Sequence, residues 1–250
     1  MPHDPLHLLH DDADVVAVLK PAGLATIPGR GEMDSVLERL GRQIGLPSSG
    51  TSDPRLRVVH RLDKETSGVL LFAKHTAAQR ALSEQFQNNL IHKEYVALVA
   101  GRPEADAGDV DAKLGVHPTN PKKMAVVKHG GRPARTLWQV EQRFRNHAVL
   151  RTFPKSGKTH QIRVHLAHAG LPLAIDSLYN PGSHRDGIRL SHLKRGYRPT
   201  RGEDERPLIN RLTLHAHRLT VTHPTTGQPL PLEAPLPKDL RATINQLSKL

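Results

Sequence analysis

A chain of 250 residues without cysteine cannot use disulfides, thiolate metal sites or a cysteine nucleophile, and it is long enough to bury a core without covalent staples. Its 36 Lys and Arg against 24 acids leave a formal charge of +12, which favours a polyanionic partner through counterion release, although a merely basic protein would share it. Aromatic residues make up 3% of the chain, too few for a broad base-stacking surface, and no apolar run reaches the roughly 18 residues of a transmembrane helix.

The first 14 residues are broken by proline, histidine and acids and lack a signal-peptide core. A cytoplasmic protein without membrane contact is therefore expected. The run Asp14-Val-Val-Ala-Val-Leu-Lys20 predicts a buried strand that stops at Pro21-Ala-Gly23. A helix is expected from Asp34 to about Gly45, with Val36, Leu37, Leu40 and Ile44 on one side, followed by a loop over 46–54. A turn at Lys64-Glu-Thr-Ser-Gly68 leads into a strand over Val69–Ala73. The clearest helix spans Thr76 to Leu90. Thr76 and Gln79 suggest a capping box, and Ala78, Leu82, Phe86 and Leu90 form its apolar stripe.

A strand over Glu94–Ala100 follows, then strands at Met124–Lys128, Ala134–Phe144 and Ala148–Phe153. A helix from about Thr159 to Ala169 should turn Ile162, Leu166 and Ala169 inward and end at Gly170. Residues 180–207 hold seven Lys or Arg and predict a basic loop insertion. Strands return over Leu208–Val221, and a last helix begins near Pro237 or Asp239. Strands and helices alternate irregularly, which predicts an α+β fold. One catalytic domain over residues 1–250, with its core at about 14–240, is expected.

Two motifs are weaker than they look. Ser156-Gly157-Lys158-Thr159 resembles the end of a phosphate-binding P-loop, but Thr152 stands where the first glycine belongs and Pro154 stiffens the loop. Seventeen histidines, with His160, His165 and His168 on or near one helix, lack the spacing of a zinc site. No metal is expected. The strong signal is His60-Arg61-Leu62-Asp63-Lys64-Glu65-Thr66-Ser67-Gly68, where an apolar strand feeds a charged cluster and a Thr-Ser-Gly turn returns to another strand. A lone aspartate in a polar turn is usually a turn residue. Here the flanking strands would give Asp63 the rigid support a catalytic group needs.

That segment resembles the signature of the RluA family of pseudouridine synthases. Lys20-Pro-Ala-Gly-Leu24 with Pro28, Lys93–Gly101, Ala134–Trp138, Gly157–Leu166, Leu214–Ala216 and His223–Gly227 also correspond, in the family's order. Two departures are Ile175-Asp176, where the family commonly has Gly-Asp, and Ser156-Gly157 in place of Thr-Gly. The resemblance implies a single α+β catalytic domain around a mixed, largely antiparallel sheet, without the small amino-terminal RNA-binding domain of some relatives. It implies an isomerase that turns specific uridines of transfer or ribosomal RNA into pseudouridine, acting as a monomer with no cofactor, since no atom is gained or lost. Asp63 corresponds to the catalytic carboxylate, as nucleophile or base, and Arg163 to its basic partner. Tyr95 matches the tyrosine that stacks on the target base, Arg61 a residue that holds the flipped nucleotide or fills its place, and Leu166 an apolar residue packed at the site. His60 is expected to be structural. The rival readings are a catalytically silent RNA-binding module on the same scaffold and a metal- or nucleotide-dependent hydrolase.

Overall fold

The computed structural model describes residues 4–29, 31, 33–48, 53–181, 184, 187–194, 196–197 and 204–250. The chain folds into two compact units. The first comprises residues 1–94 and 216–235, the second 95–215 and 236–250.

The first unit opens with β1 (His7–Asp11), which the sequence pattern did not suggest, paired antiparallel to β2 (Val15–Lys20). Helix α1 (Val36–Ile44) is capped at Ser35, whose hydroxyl accepts the Glu38 N–H, and ends at left-handed Gly45, close to the expected bounds. The short β3 (Arg57–Val58) and the long β4 (Ser67–Ala73) follow. β4 pairs antiparallel with both β2 and β3. Strands β11 (Leu214–Thr222) and β12 (Pro229–Glu233) complete this part of the sheet, in the order β1-β2-β4-β11-β12.

β2 and β4 are apolar at successive positions because both faces are covered. Val15, Ala17, Val69, Leu71 and Ala73 pack against Ala78 and Leu82 of α2 (Thr76–Gln87). Val16, Val18, Leu70 and Phe72 point the opposite way and are equally buried. Helix α2 corrects two details of the sequence reading. Its cap is His75, whose ring accepts the Ala78 N–H, rather than Thr76. The helix stops at Gln87, Asn89 takes a left-handed φ of 55°, and Leu90 leaves the apolar stripe, 72% exposed.

In the second unit β5 (His92–Ala100), β10 (His147–Pro154), β9 (Arg135–Arg143) and β6 (Ala107–Asp111) form consecutive antiparallel pairs. The period-two alternation of side chains sorts them onto two faces. Ala97, Val99, Ala148 and Leu150 pack with Ile162 and Leu166 of α3 (Gln161–His168). Val96, Leu98 and Val149 pack with Leu240 and Leu247 of α5 (Lys238–Leu247). Ala169, expected inward, lies past the helix end and is exposed.

A hairpin of β7 (Leu114–His117) and β8 (Asn120–Val126) was read only in part as a strand at 124–128. It packs on α3 through Leu114, Met124, Val126 and Val164. Within the segment expected as a basic loop, Leu190–Leu193 form a helical turn, α4, and Ile188 bridges to Ile209. Arg185, Arg195, Arg198 and Arg201 of that segment lie outside the described residues. Every strand pair with a described register is antiparallel, in an α+β arrangement. Among the described residues, no helix is long and apolar enough to cross a membrane.

Candidate active site

Asp63 lies in the turn between β3 and β4, in the first unit. The Thr66 N–H donates to the Asp63 carbonyl at 3.0 Å and closes that turn. Two residues far upstream hold its backbone. The Thr26 hydroxyl donates to the Leu62 carbonyl at 3.0 Å and accepts the Leu62 N–H at 3.2 Å. Lys20 is fully buried. Its ammonium donates to the carbonyls of Pro21, Leu24 and Lys64 at 2.8, 2.6 and 2.8 Å, and the Gly23 N–H meets the same Lys64 carbonyl at 2.9 Å. An ammonium has three N–H donors, so this lysine binds loop and turn into one body. Lys20 was legible only as part of a family motif, and Thr26 carried no signal at all.

After the turn, Thr66 and Ser67 are buried. Gly68 sits at φ +127°, and a Cβ there would lie 2.1 Å from the Ala216 carbonyl oxygen, so both the conformation and the close approach demand glycine. Before the turn, His60 stacks on Phe86 with centroids 4.7 Å apart, and its Nε2 accepts the Leu71 N–H at 3.0 Å. Burial, aided by the charge of Lys93, pushes its pKa down to about 3. The ring is partly exposed, but a proton on Nε2 would set two N–H groups against each other, so His60 is neutral. Asp63 itself is half-buried and Arg61 exposed.

Tyr95, Arg163 and Leu166 belong to the second unit. Tyr95 has the same parity on β5 as Ala97 and Val99, which turns it to the α3 face, where it packs half-buried against the cluster containing Ile162 and Leu166. Leu166 is wholly buried and so supports that surface from beneath. Arg163 is buried and makes a two-bond fork with Asp176, Nε to Oδ2 and Nη2 to Oδ1, both 2.8 Å. Its guanidinium carbon lies 5.1 Å from the centre of the Tyr179 ring. Sequence reasoning noted Asp176 only as a neighbour of a departure from the family pattern and missed Tyr179.

The tempting motifs resolve into structural bonds. Gln161 accepts the Lys158 N–H and the Ser156 hydroxyl through Oε1, so this turn is organised around a side chain. His160 meets the Tyr179 hydroxyl, His165 meets Thr136 and the Ala112 carbonyl, and His168 is exposed, so the three do not converge on one point. Asp12, Asp14 and His223 do place ligand-type atoms within 4.8 Å of one another. The His223 Nδ1, however, accepts the N–H groups of Thr225 and Thr226 at 3.3 and 3.1 Å. Its proton is therefore on Nε2, which donates to Asp12 at 3.1 Å. Such an imidazole has no lone pair directed at a metal.

The α+β frame is that of an RNA pseudouridylate synthase domain. The sequence model of the RNA pseudouridylate synthase family matches residues 14–168. The chain is 38% identical over 246 residues to ribosomal large subunit pseudouridine synthase D of Nitrosomonas europaea, covering 98% of this chain and 66% of that protein. It is 39% identical to the enzyme of the same name from Xanthomonas campestris, covering 97% and 70%. The chain thus spans about two thirds of the length of these relatives. Human RNA pseudouridylate synthase domain containing 4 superposes with a TM-score of 0.70 at 25% identity, over 97% of this chain and 93% of that one. The chain belongs to the RluA family of pseudouridine synthases, a family of RNA-modifying isomerases.

Proposed function

We propose that this protein isomerises uridine to pseudouridine in ribosomal RNA of the large subunit, with Asp63 as its catalytic carboxylate. The observation that carries the reading is the clamped Asp63 turn, held by Lys20 and Thr26 from a separate chain segment. A group that must meet one sugar carbon gains from such preorganisation. The relatives' names supply the RNA class.

In this reading the target nucleotide leaves its stack. Asp63 acts as nucleophile or base toward the ribose, the C1′–N1 bond breaks and the uracil turns. C5 then bonds to C1′, displacing Asp63 if it is bound there, and C5 loses its proton while N1 gains one. The atoms balance without an oxidant, reductant or cofactor. Tyr95 stacks on the base and assists removal of the C5 proton. Arg163 is the basic group that the family resemblance assigns as partner of Asp63. Exposed Arg61 holds the extruded nucleotide or fills its place, and Leu166 backs the Tyr95 surface. The protein works as a monomer in the cytoplasm, with the cationic surface and the 180–207 segment gripping phosphates.

Tritium release from uracil C5 in a large-subunit RNA fragment measures turnover directly. Asp63→Asn should abolish release while binding, read by gel shift, stays within about threefold, since base and phosphate contacts are separate from the reacting carboxylate. Near-normal turnover by this variant would refute the assignment.

A further inference from the structure

We infer that Asp176 and Tyr179 are positioning residues that set the guanidinium of Arg163 for catalysis, an inference that rests on the proposed role of Arg163. Arg163 has five N–H donors in a rigid planar fork. Asp176 engages Nε and Nη2 in plane, at 2.8 Å each. The Asp176 side chain is fully excluded from solvent, and its Oδ1 also accepts the N–H groups of Leu178 and Tyr179 at 2.9 and 3.1 Å. The carboxylate is thereby fixed by its own turn before it holds the arginine. The Asn180 N–H returns to the Asp176 carbonyl at 2.9 Å, and the Asn180 amide reaches the Leu173 carbonyl at 2.9 Å, closing that turn.

Tyr179 supplies a second contact, since the Arg163 guanidinium carbon lies over its ring, 5.1 Å from the centroid. Its hydroxyl accepts the Met124 N–H of β8 at 2.8 Å and lies 2.8 Å from His160 Nδ1. It therefore also meets His160, the residue that precedes α3 in a left-handed conformation at φ 55°. One side chain thus ties Arg163, the start of its helix and the β7–β8 hairpin together. The Asp176 fork and the Tyr179 ring together restrain Arg163 on a helix of eight residues. Without them its long side chain would sample other rotamers.

The test is a kinetic cycle on the full chain with the tritium-release assay, with thermal unfolding recorded for each variant. Asp176→Asn should lower kcat by about tenfold or more with KM within about threefold. In Arg163→Met, adding Asp176→Asn should cost little further, because residues that act as a unit are not additive. Tyr179→Phe keeps the ring and should hold kcat within about threefold, whereas Tyr179→Leu should not. Should Asp176→Asn fail to fold, the comparison of Tyr179→Leu with Tyr179→Phe in the same two backgrounds carries the test. Losses that multiply in the double variant, or a normal kcat for Asp176→Asn beside a crippled Arg163→Met, would overturn the positioning role alone. An unimpaired Arg163→Met would instead remove the role of Arg163 on which it rests.

Discussion

The Nε2 of His60, three residues before Asp63, accepts the backbone N–H of Leu71 at 3.0 Å, so a side chain occupies a place where a neighbouring strand would put a carbonyl. This bond exists only while the ring is neutral, and burial together with Lys93 keeps it so, down to about pH 3. In the unfolded chain the ordinary histidine pKa near 6.5 returns. Between those values the unfolded state binds the extra proton, so stability rises with pH and is lost as pH falls below about 6.5. His147, which burial pushes down to about 4, adds to the same slope. Urea midpoints should therefore decline steadily from pH 7 to pH 5, and less so in His60→Gln. Flat midpoints across that range would contradict a neutral His60.

Thr26 is buried and grips Leu62 in both directions. Thr26→Val keeps the shape but strands a buried carbonyl and a buried N–H, a loss of about 1–3 kcal/mol. Because the stranded groups adjoin Asp63, kcat should drop with the stability. Thr26→Ser restores the hydroxyl and should recover most of both. Equal behaviour of the serine and valine variants would show that the hydroxyl does not hold the turn.

Gly68 combines φ +127° with a 2.1 Å approach to the Ala216 carbonyl. Neither partner can yield cheaply, since both are backbone. Gly68→Ala should destabilise by about 4 kcal/mol or more, at the severe end for single substitutions. Circular dichroism and thermal unfolding would show it. A folded variant with a near-normal Tm would mean that the two strands can separate locally.

RNA affinity should rest on phosphates, given the charge of +12 and the scarcity of aromatics. The β7–β8 hairpin and its exit expose Lys113, Lys122, Lys128 and Arg132. Neutralising Lys122, Lys128 and Arg132 should lower the log–log slope of affinity against salt by roughly 0.7–0.9 per lost contact. The same series on Lys194, Arg195 and Arg198 compares the 180–207 segment. The set that leaves slope and affinity unchanged does not face the RNA.

Much of the local structure could be read from the chain. The unbroken apolar runs in β2 and β4, the bounds of α1 between Ser35 and Gly45, and the charged turn around Asp63 all follow from periodicity and turn chemistry, which act over a few residues. Helix α2 shows the margin of error. A threonine and a glutamine at the right spacing suggested one cap, but the imidazole one residue earlier reached the Ala78 N–H and is itself held by Asp14.

Asp63, Tyr95 and Arg163 could be singled out from the sequence because motifs name residues; their holders could not, because hydrogen bonds are made across space. Lys20 meets Lys64 across 44 positions, Thr26 meets Leu62 across 36, and Tyr179 meets Met124 across 55. A lysine ending an apolar strand looks like a surface charge, and only the converging carbonyls make its burial favourable. The sequence alone therefore determined the family, the longer helices and the long apolar strands, but not β1, β6, β7 or β12, whose short or polar runs carry little periodic signal. The tertiary structure alone decided which tautomers, buried charges and distant backbone groups hold the site residues still, since each depends on partners brought together by folding.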